Sequence, residues 1–149
     1  MITVSRTFAV PATPAAVLDY LKDFGNAVEW DPGTQSCTRT DSGPIEVGAQ
    51  WHNVSKILGV TAELTYTLEK LEPDTIVLVG RNEKSTSTDT ITVRPAGDGT
   101  ELTYRAELEM HGLAKLATPV MKLEFEKLAG QTEKQLTEVL TGLGKSPAL

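Results

Sequence analysis

The sequence predicts an α+β fold in which an antiparallel sheet of about seven strands is covered by one long C-terminal helix. Between residues 34 and 110, strand-like segments follow one another through short turns, which is typical of consecutive antiparallel hairpins. Residues 113–143 instead repeat apolar side chains every three or four positions, the period of one helix face. With 149 residues and no internal repeat or linker, residues 1–149 are expected to form a single domain.

The N-terminal segment predicts a strand followed by two short helices. Residues 2–10 alternate apolar and polar side chains, as a half-buried strand does. Thr13 and Pro14 then supply an N-cap and a first-turn proline for a short helix. A second helical segment at residues 26–30 ends in a tryptophan, directly before the turn-forming residues Asp31-Pro32-Gly33.

The remaining strands are predicted from alternation and from the Gly, Pro, Asp and Asn residues between them. They cover residues 34–40, 50–58, 60–71, 75–81, 87–94 and 100–110. The C-terminal helix contains Pro119, so it either begins at Thr118 or includes 113–117 and bends at the proline. Its apolar stripe consists of Met121, Phe125, Leu128, Thr132, Leu136, Val139 and Leu143.

Composition excludes several classes of protein. A net charge of −6, without a dense cluster of lysine and arginine, argues against nucleic-acid binding. The single Cys37 has no partner for an internal disulfide, and the N-terminus lacks the apolar block of a signal peptide. No apolar run approaches the ~20 residues that span a bilayer. We therefore expect a cytoplasmic protein without a transmembrane segment, either a monomer or a homodimer.

The sequence offers no pattern for a metal or a cofactor. His52, His111 and Cys37 lack the spacing of a zinc site. There is no Gly-x-Ser-x-Gly nucleophile elbow, and residues 97–99, Gly-Asp-Gly, lie in a hairpin rather than before a helix. We expect neither a metal nor a cofactor.

The predicted architecture favours a cavity. A twisted sheet wrapped around one helix leaves space along the groove, which must be filled by large side chains or left open. Aromatic residues make up only 5% of the chain, so few large side chains are available to fill that space.

Several sequence features are shared with a known superfamily. They are Pro11-Ala-Thr-Pro14, Trp30-Asp31-Pro32, Val47-Gly48 ahead of Trp51, the hairpin Pro95-Ala-Gly-Asp-Gly-Thr100, and the long closing helix. Over essentially its whole length the chain resembles the START-like, helix-grip superfamily (SRPBCC), which includes polyketide cyclase/dehydrase-like proteins and birch-pollen-type allergens. The resemblance implies a helix-grip fold whose sheet and helix enclose a cavity for lipids, sterols, polyketides or other apolar molecules.

Strand alternation selects the candidate wall residues of such a cavity. Leu64 and Tyr66 share one face of their strand, opposite charged and threonine side chains, and Leu102 and Tyr104 do the same in the last strand. Trp30 is interpreted either as a core residue or as part of the cavity entrance, because one indole ring can serve both roles. The predicted ligand-binding residues are Trp30, Trp51, Leu64, Tyr66, Leu102, Tyr104, Met121 and Phe125.

Three functions remain open at this stage. The first is binding of a hydrophobic or aromatic small molecule, with the hydroxyls of Tyr66 and Tyr104 contacting either the ligand or the protein itself. The second is a polyketide cyclase/aromatase-like enzyme with Tyr66, Tyr104 and Asp89 as catalytic candidates. On an inward face Asp89 would have a raised pKa, whereas at a strand end it would be solvated or paired with Arg81. The third is a protein-interaction module with a filled core.

Overall fold

One seven-stranded antiparallel sheet forms the main layer of the molecule. The computed structural model describes residues 1–144, and the sheet order is β1-β7-β6-β5-β4-β3-β2. The strands are β1 (Ile2–Val10), β2 (Thr34–Arg39), β3 (Gln50–Ile57), β4 (Val60–Glu72), β5 (Thr75–Arg81), β6 (Ser85–Ala96) and β7 (Gly99–Met110). Strands β2 to β7 follow one another as a meander, and β1 pairs with β7. The predicted helix-grip architecture is confirmed.

Two short helices connect β1 to β2, as the sequence predicts. Helix α1 (Pro14–Leu21) has Pro14 in its first turn, and the Thr13 hydroxyl accepts a hydrogen bond from the Ala16 N–H at 3.2 Å. A 3-10 turn at Phe24–Asn26 leads directly into α2 (Ala27–Trp30). These elements close one end of the sheet with buried apolar side chains, namely Val17, Leu18, Leu21, Phe24 and Trp30.

The C-terminal helix begins later than residue 113. Residues 112–117 form a 3-10 helix, and α3 (Thr118–Gly144) starts with Pro119 in its first turn. A proline has no backbone N–H and cannot donate the hydrogen bond to the carbonyl four residues earlier in a helix. In the first turn no such hydrogen bond is made, so a proline is tolerated there. Of the two alternatives for Pro119, the start of the α-helix at Thr118 matches the structure, and the 3-10 helix at 112–117 runs directly into it.

The two halves of α3 differ in how closely they approach the sheet. In the C-terminal half, Leu136 and Leu140 are completely buried. The helix as a whole packs on β1, α1 and α2. In the N-terminal half, Phe125 and Leu128 remain partly exposed although they face the sheet side. Arg6 on β1 lies 3.7 Å from a carboxylate oxygen of Glu126, an ion pair that joins helix to sheet. The N-terminal half of α3 thus covers a space that it does not fill.

Candidate functional site

A cavity of about 510 Å³ lies under the N-terminal half of α3. Its floor is the inner face of β4, β6 and β7, and its roof is the helix face that carries Met121, Phe125, Leu128 and Ala129. At its outer end it is bounded by the β3–β4 and β5–β6 hairpins, where Val60 is 67% exposed. The cavity therefore opens between these hairpin tips and the start of α3.

An aromatic cluster closes the inner end. The Phe24 ring is its centre, with ring centroids 6.0 Å from Trp30, 6.2 Å from Trp51 and 4.4 Å from Tyr66. Trp30 also meets Tyr104 edge-on at 6.0 Å. Such edge-to-face contacts hold rings in fixed orientations. The tryptophans therefore pack behind the two tyrosines and support them.

The structure brings five of the eight predicted ligand-binding residues into the cavity wall. They are Leu64, Tyr66, Tyr104, Met121 and Phe125. Trp30, Trp51 and Leu102 are completely buried and belong to the core outside the lining. Of the two interpretations of Trp30, the packed core residue is the one that its surroundings match.

Asp89 faces the cavity floor from the middle of β6. Its register partners are Leu78 on β5 and Ala106 on β7, both buried, and Asp89 itself is only 5% exposed. The Tyr104 hydroxyl donates a hydrogen bond to Asp89 Oδ1 at 3.1 Å. Arg81 pairs with Glu69 at 2.8 Å instead of with Asp89.

Burial shifts the acid–base properties of this cluster. Loss of water around Asp89 and, to a smaller extent, the nearby Asp31 charge raise its pKa to about 7, although the Tyr104 hydrogen bond opposes the shift. The pKa of Tyr66 and of Tyr104 is raised well above 10, first by burial and then by the Asp89 charge. Both tyrosines are therefore neutral hydroxyls beside a carboxyl that titrates near neutral pH.

A match to a family model shows the family of this chain. Residues 1–141 match the model of a family described as polyketide cyclase / dehydrase and lipid transport. The chain belongs to this family. Among proteins of curated function, none matches the chain by sequence.

Several solved structures are similar in fold to this family member. A START superfamily protein from Mycobacterium smegmatis is 21% identical with a TM-score of 0.71, over 96% of this chain and 97% of that one. The Zhui aromatase/cyclase from Streptomyces sp. R1128 is 13% identical with a TM-score of 0.73, over 96% and 93%. Ara h 8.0201 is 16% identical with a TM-score of 0.65, over 97% and 98%. At these identities the likeness establishes the fold.

Asp31 is a cavity residue that sequence reasoning missed. It follows α2 and lines the cavity, with its carboxylate accepting hydrogen bonds from the Gly33 N–H at 3.2 Å and the Thr34 hydroxyl at 2.8 Å. Burial raises its pKa, while these two hydrogen bonds oppose the shift. The Asp-Pro-Gly sequence indicated only a turn, and turn aspartates are generally exposed.

Three further residues shape the floor and roof. A Cβ on Gly80 of β5 would lie 2.5 Å from the Tyr66 ring, so only glycine lets this ring lie across β5. Ser87 and Thr132 are buried polar residues of the lining. The sequence held one signal for each of these two residues. Ser87 lies on the same face of β6 as Asp89, and Thr132 lies in the apolar stripe of α3.

Both histidines and the cysteine lie outside the cavity lining. His52 Nε2 is 2.8 Å from a Glu63 oxygen, and His111 Nε2 is 2.9 Å from the Thr86 hydroxyl. Burial raises the pKa of Cys37 to about 11, which disfavours a thiolate nucleophile. Within residues 1–144 no three His, Cys, Asp or Glu side chains cluster as metal ligands, and no helix is long and apolar enough to cross a membrane.

Proposed function

We propose that this protein binds one hydrophobic or aromatic small molecule in the cavity under α3. The observation that carries the proposal is the cavity of about 510 Å³, walled by aliphatic and aromatic side chains with a small polar cluster on its floor. This size and composition are typical of small-molecule sites. The lining residues Leu64, Tyr66, Tyr104, Met121 and Phe125 contact the ligand.

Apolar burial supplies most of the affinity. A ligand that buries about 300 Å² of apolar surface gains roughly 7 kcal/mol at about 25 cal/mol per Å². Loss of translational freedom offsets part of this gain, and the rigid tyrosine floor reduces the cost of ordering the site. The hydroxyls of Tyr66 and Tyr104 orient the ligand.

Filling the cavity tests the proposal. Leu128 lies in the cavity wall, so Leu128→Trp places a large ring in the ligand space. Leu123, on the same helix, is 76% exposed and outside the lining, so Leu123→Trp is the matched control. We expect the uncharged dye N-phenylnaphthylamine to bind the wild-type protein and the control with equal affinity, and Leu128→Trp to weaken binding at least about tenfold.

Native mass spectrometry of the same three proteins identifies the ligand class. The proposal expects an apolar adduct, extractable into organic solvent, on the wild-type protein and on Leu123→Trp but absent from Leu128→Trp. Equal dye binding by all three proteins would contradict the proposal. So would a wild-type protein that takes up neither the dye nor any other apolar molecule.

The Asp89–Tyr104 pair supports a second candidate, a polyketide cyclase-like enzyme. The Asp89 carboxylate would take a proton from a methylene between two ketones of a bound poly-β-ketone. The resulting enolate carbon would attack another ketone of the same chain, forming a C–C bond and an alkoxide. Tyr104 would give this alkoxide its proton, and loss of water would follow, with no net oxidation or reduction.

Turnover of a model poly-β-ketone distinguishes the cyclase function from the binding function. The enzyme requires that Asp89→Asn and Tyr104→Phe abolish cyclisation, while Glu107→Gln, whose residue lies outside the cavity lining, leaves it intact. Unchanged product formation in both cavity variants would exclude this second candidate and leave the first intact.

A further inference from the structure

The charged groups that line the cavity are mostly acidic. The acidic side chains are Asp31, Glu63, Glu83 and Asp89, and Lys84 is the one basic side chain among the described lining residues. Glu63, Glu83 and Lys84 are exposed at the hairpin end of the cavity. Asp31 and Asp89 lie on the floor side, and each lining residue contributed there by α3 is uncharged.

The buried carboxyl at the floor has unused hydrogen-bonding capacity. Tyr104 donates to Asp89 Oδ1. Within residues 1–144 the buried side-chain nitrogens and oxygens without a hydrogen-bond partner are the indole nitrogens of Trp30 and Trp51, so Asp89 Oδ2 and the Thr132 hydroxyl are open to the cavity rather than sealed in the core. A carboxylate in such an apolar setting is stabilised when a ligand brings a charged donor to its open oxygen.

Resting on the proposed binding function, we propose that the ligand carries a protonated amine and that Asp89 is its counter-ion. The ammonium donates to the free Asp89 oxygen and to the Thr132 hydroxyl, while the apolar body of the ligand fills the space under Phe125. The Asp31 charge adds attraction from the end of the cavity near α2.

The aromatic wall fits the same ligand class. Tyr66, Tyr104 and Phe125 line the cavity, and the faces of such rings attract ammonium groups. A carboxylate ligand of the same shape meets two acidic groups and no buried cation. The cavity therefore selects amines over alcohols, and alcohols over carboxylates.

Three naphthalene probes with different polar ends test the selectivity. Naphthylethylamine, naphthylethanol and naphthylacetate are titrated at pH 8 against the dye-loaded protein. A charge-assisted hydrogen bond in a buried site predicts that the amine binds at least about tenfold more tightly than the alcohol. The carboxylate is expected to bind most weakly.

Variants assign the preference to Asp89. Asp89→Asn keeps the acceptor for Tyr104 but removes the charge, and is expected to remove most of the amine preference, leaving only the weaker attraction of Asp31, while alcohol binding stays unchanged. Glu107→Gln removes an acidic charge of β7 outside the cavity lining and is expected to keep the full amine preference. An amine preference absent from the wild-type protein, undiminished in Asp89→Asn, or lost equally in Glu107→Gln overturns the proposal.

The pH dependence gives a test that needs no variant. The groups facing Asp89 are Asp31 after α2, Tyr66 on β4 and Tyr104 on β7, and α3 contributes no charged group to the lining. The pKa of Asp89 is about 7, so lowering the pH from 8 to 5 neutralises it while the amine stays protonated. We expect the amine preference to disappear over this range, and a constant preference contradicts the proposal. If neither the dye nor the alcohol binds, the binding function itself fails.

Discussion

At the residue scale, burial of Asp89 couples the stability of the protein to pH. The pKa of this carboxyl is about 7 in the folded protein and near 3.8 in the unfolded chain. Between these two pKa values the unfolded chain binds fewer protons than the folded protein. The unfolded state is therefore increasingly favoured as the pH rises. Protonation of Asp89 therefore stabilises the folded protein. This contribution to the free energy of unfolding is complete below about pH 4 and is lost as the pH rises through about 7.

Asp89→Asn removes this pH dependence. The shift in pKa corresponds to a destabilisation on the order of 4 kcal/mol at pH 8, which the uncharged asparagine avoids. We expect the ligand-free variant to gain stability relative to the wild-type protein between pH 5 and pH 8, measured by urea unfolding. A stability difference that stays constant with pH would mean that Asp89 is solvated.

Individual site residues were predictable where side-chain parity decides their direction. Alternation along β4 and β7 placed Leu64, Tyr66 and Tyr104 in the lining. Asp31 was missed because its turn signal indicates a surface position, and only the packing of α2 against β2 turns its carboxylate toward the cavity. Trp30 is buried against the rings of Phe24 and of Tyr104, which is distant in sequence, so the sequence alone could not place it in the core or in the wall.

At the scale of elements, two glycines have opposite roles. Gly80 in β5 leaves room for the Tyr66 ring, whereas a Cβ on Gly130 in α3 would meet nothing within 4 Å. We expect Gly80→Ala to destabilise the protein by about 1–3 kcal/mol and to weaken dye binding, because it displaces Tyr66. Gly130→Ala is the control and is expected to stabilise the helix by about 0.5–1 kcal/mol. Thermal unfolding that ranks the two variants in the opposite order would contradict this account of β5.

The two halves of α3 could not be distinguished from their sequence. Its apolar stripe continues with one period from Met121 to Leu143, which predicts equal burial along the helix. In the structure Leu136 and Leu140 are packed completely, while Phe125 and Leu128 lie over the cavity. Besides β1, the helix contacts α1 and α2, and in its C-terminal half Gln135 donates a hydrogen bond to the backbone carbonyl of Glu29 in α2.

At the scale of the whole molecule, the fold was predictable because it depends on local signals. The sequence contains seven segments of alternating polarity, most of them joined by short turns, and one long amphipathic helix. These segments predict an antiparallel sheet with one face covered by that helix. The volume of the cavity depends on how far the helix stands from the sheet, and no periodicity encodes this distance. The few bulky side chains indicated the cavity, but its acidic floor required the register of β6 against β7.

Whether the space under α3 is a cavity that accepts an apolar molecule is tested, without any choice of ligand, by a crystal structure determined under xenon pressure. Apolar cavities of this kind take up xenon. We expect xenon between Phe125 and the tyrosine floor in the wild-type protein, and no xenon at this position in Leu128→Trp. A wild-type structure without xenon, in which Phe125 and Leu128 pack directly on Tyr66 and Tyr104, would contradict this expectation.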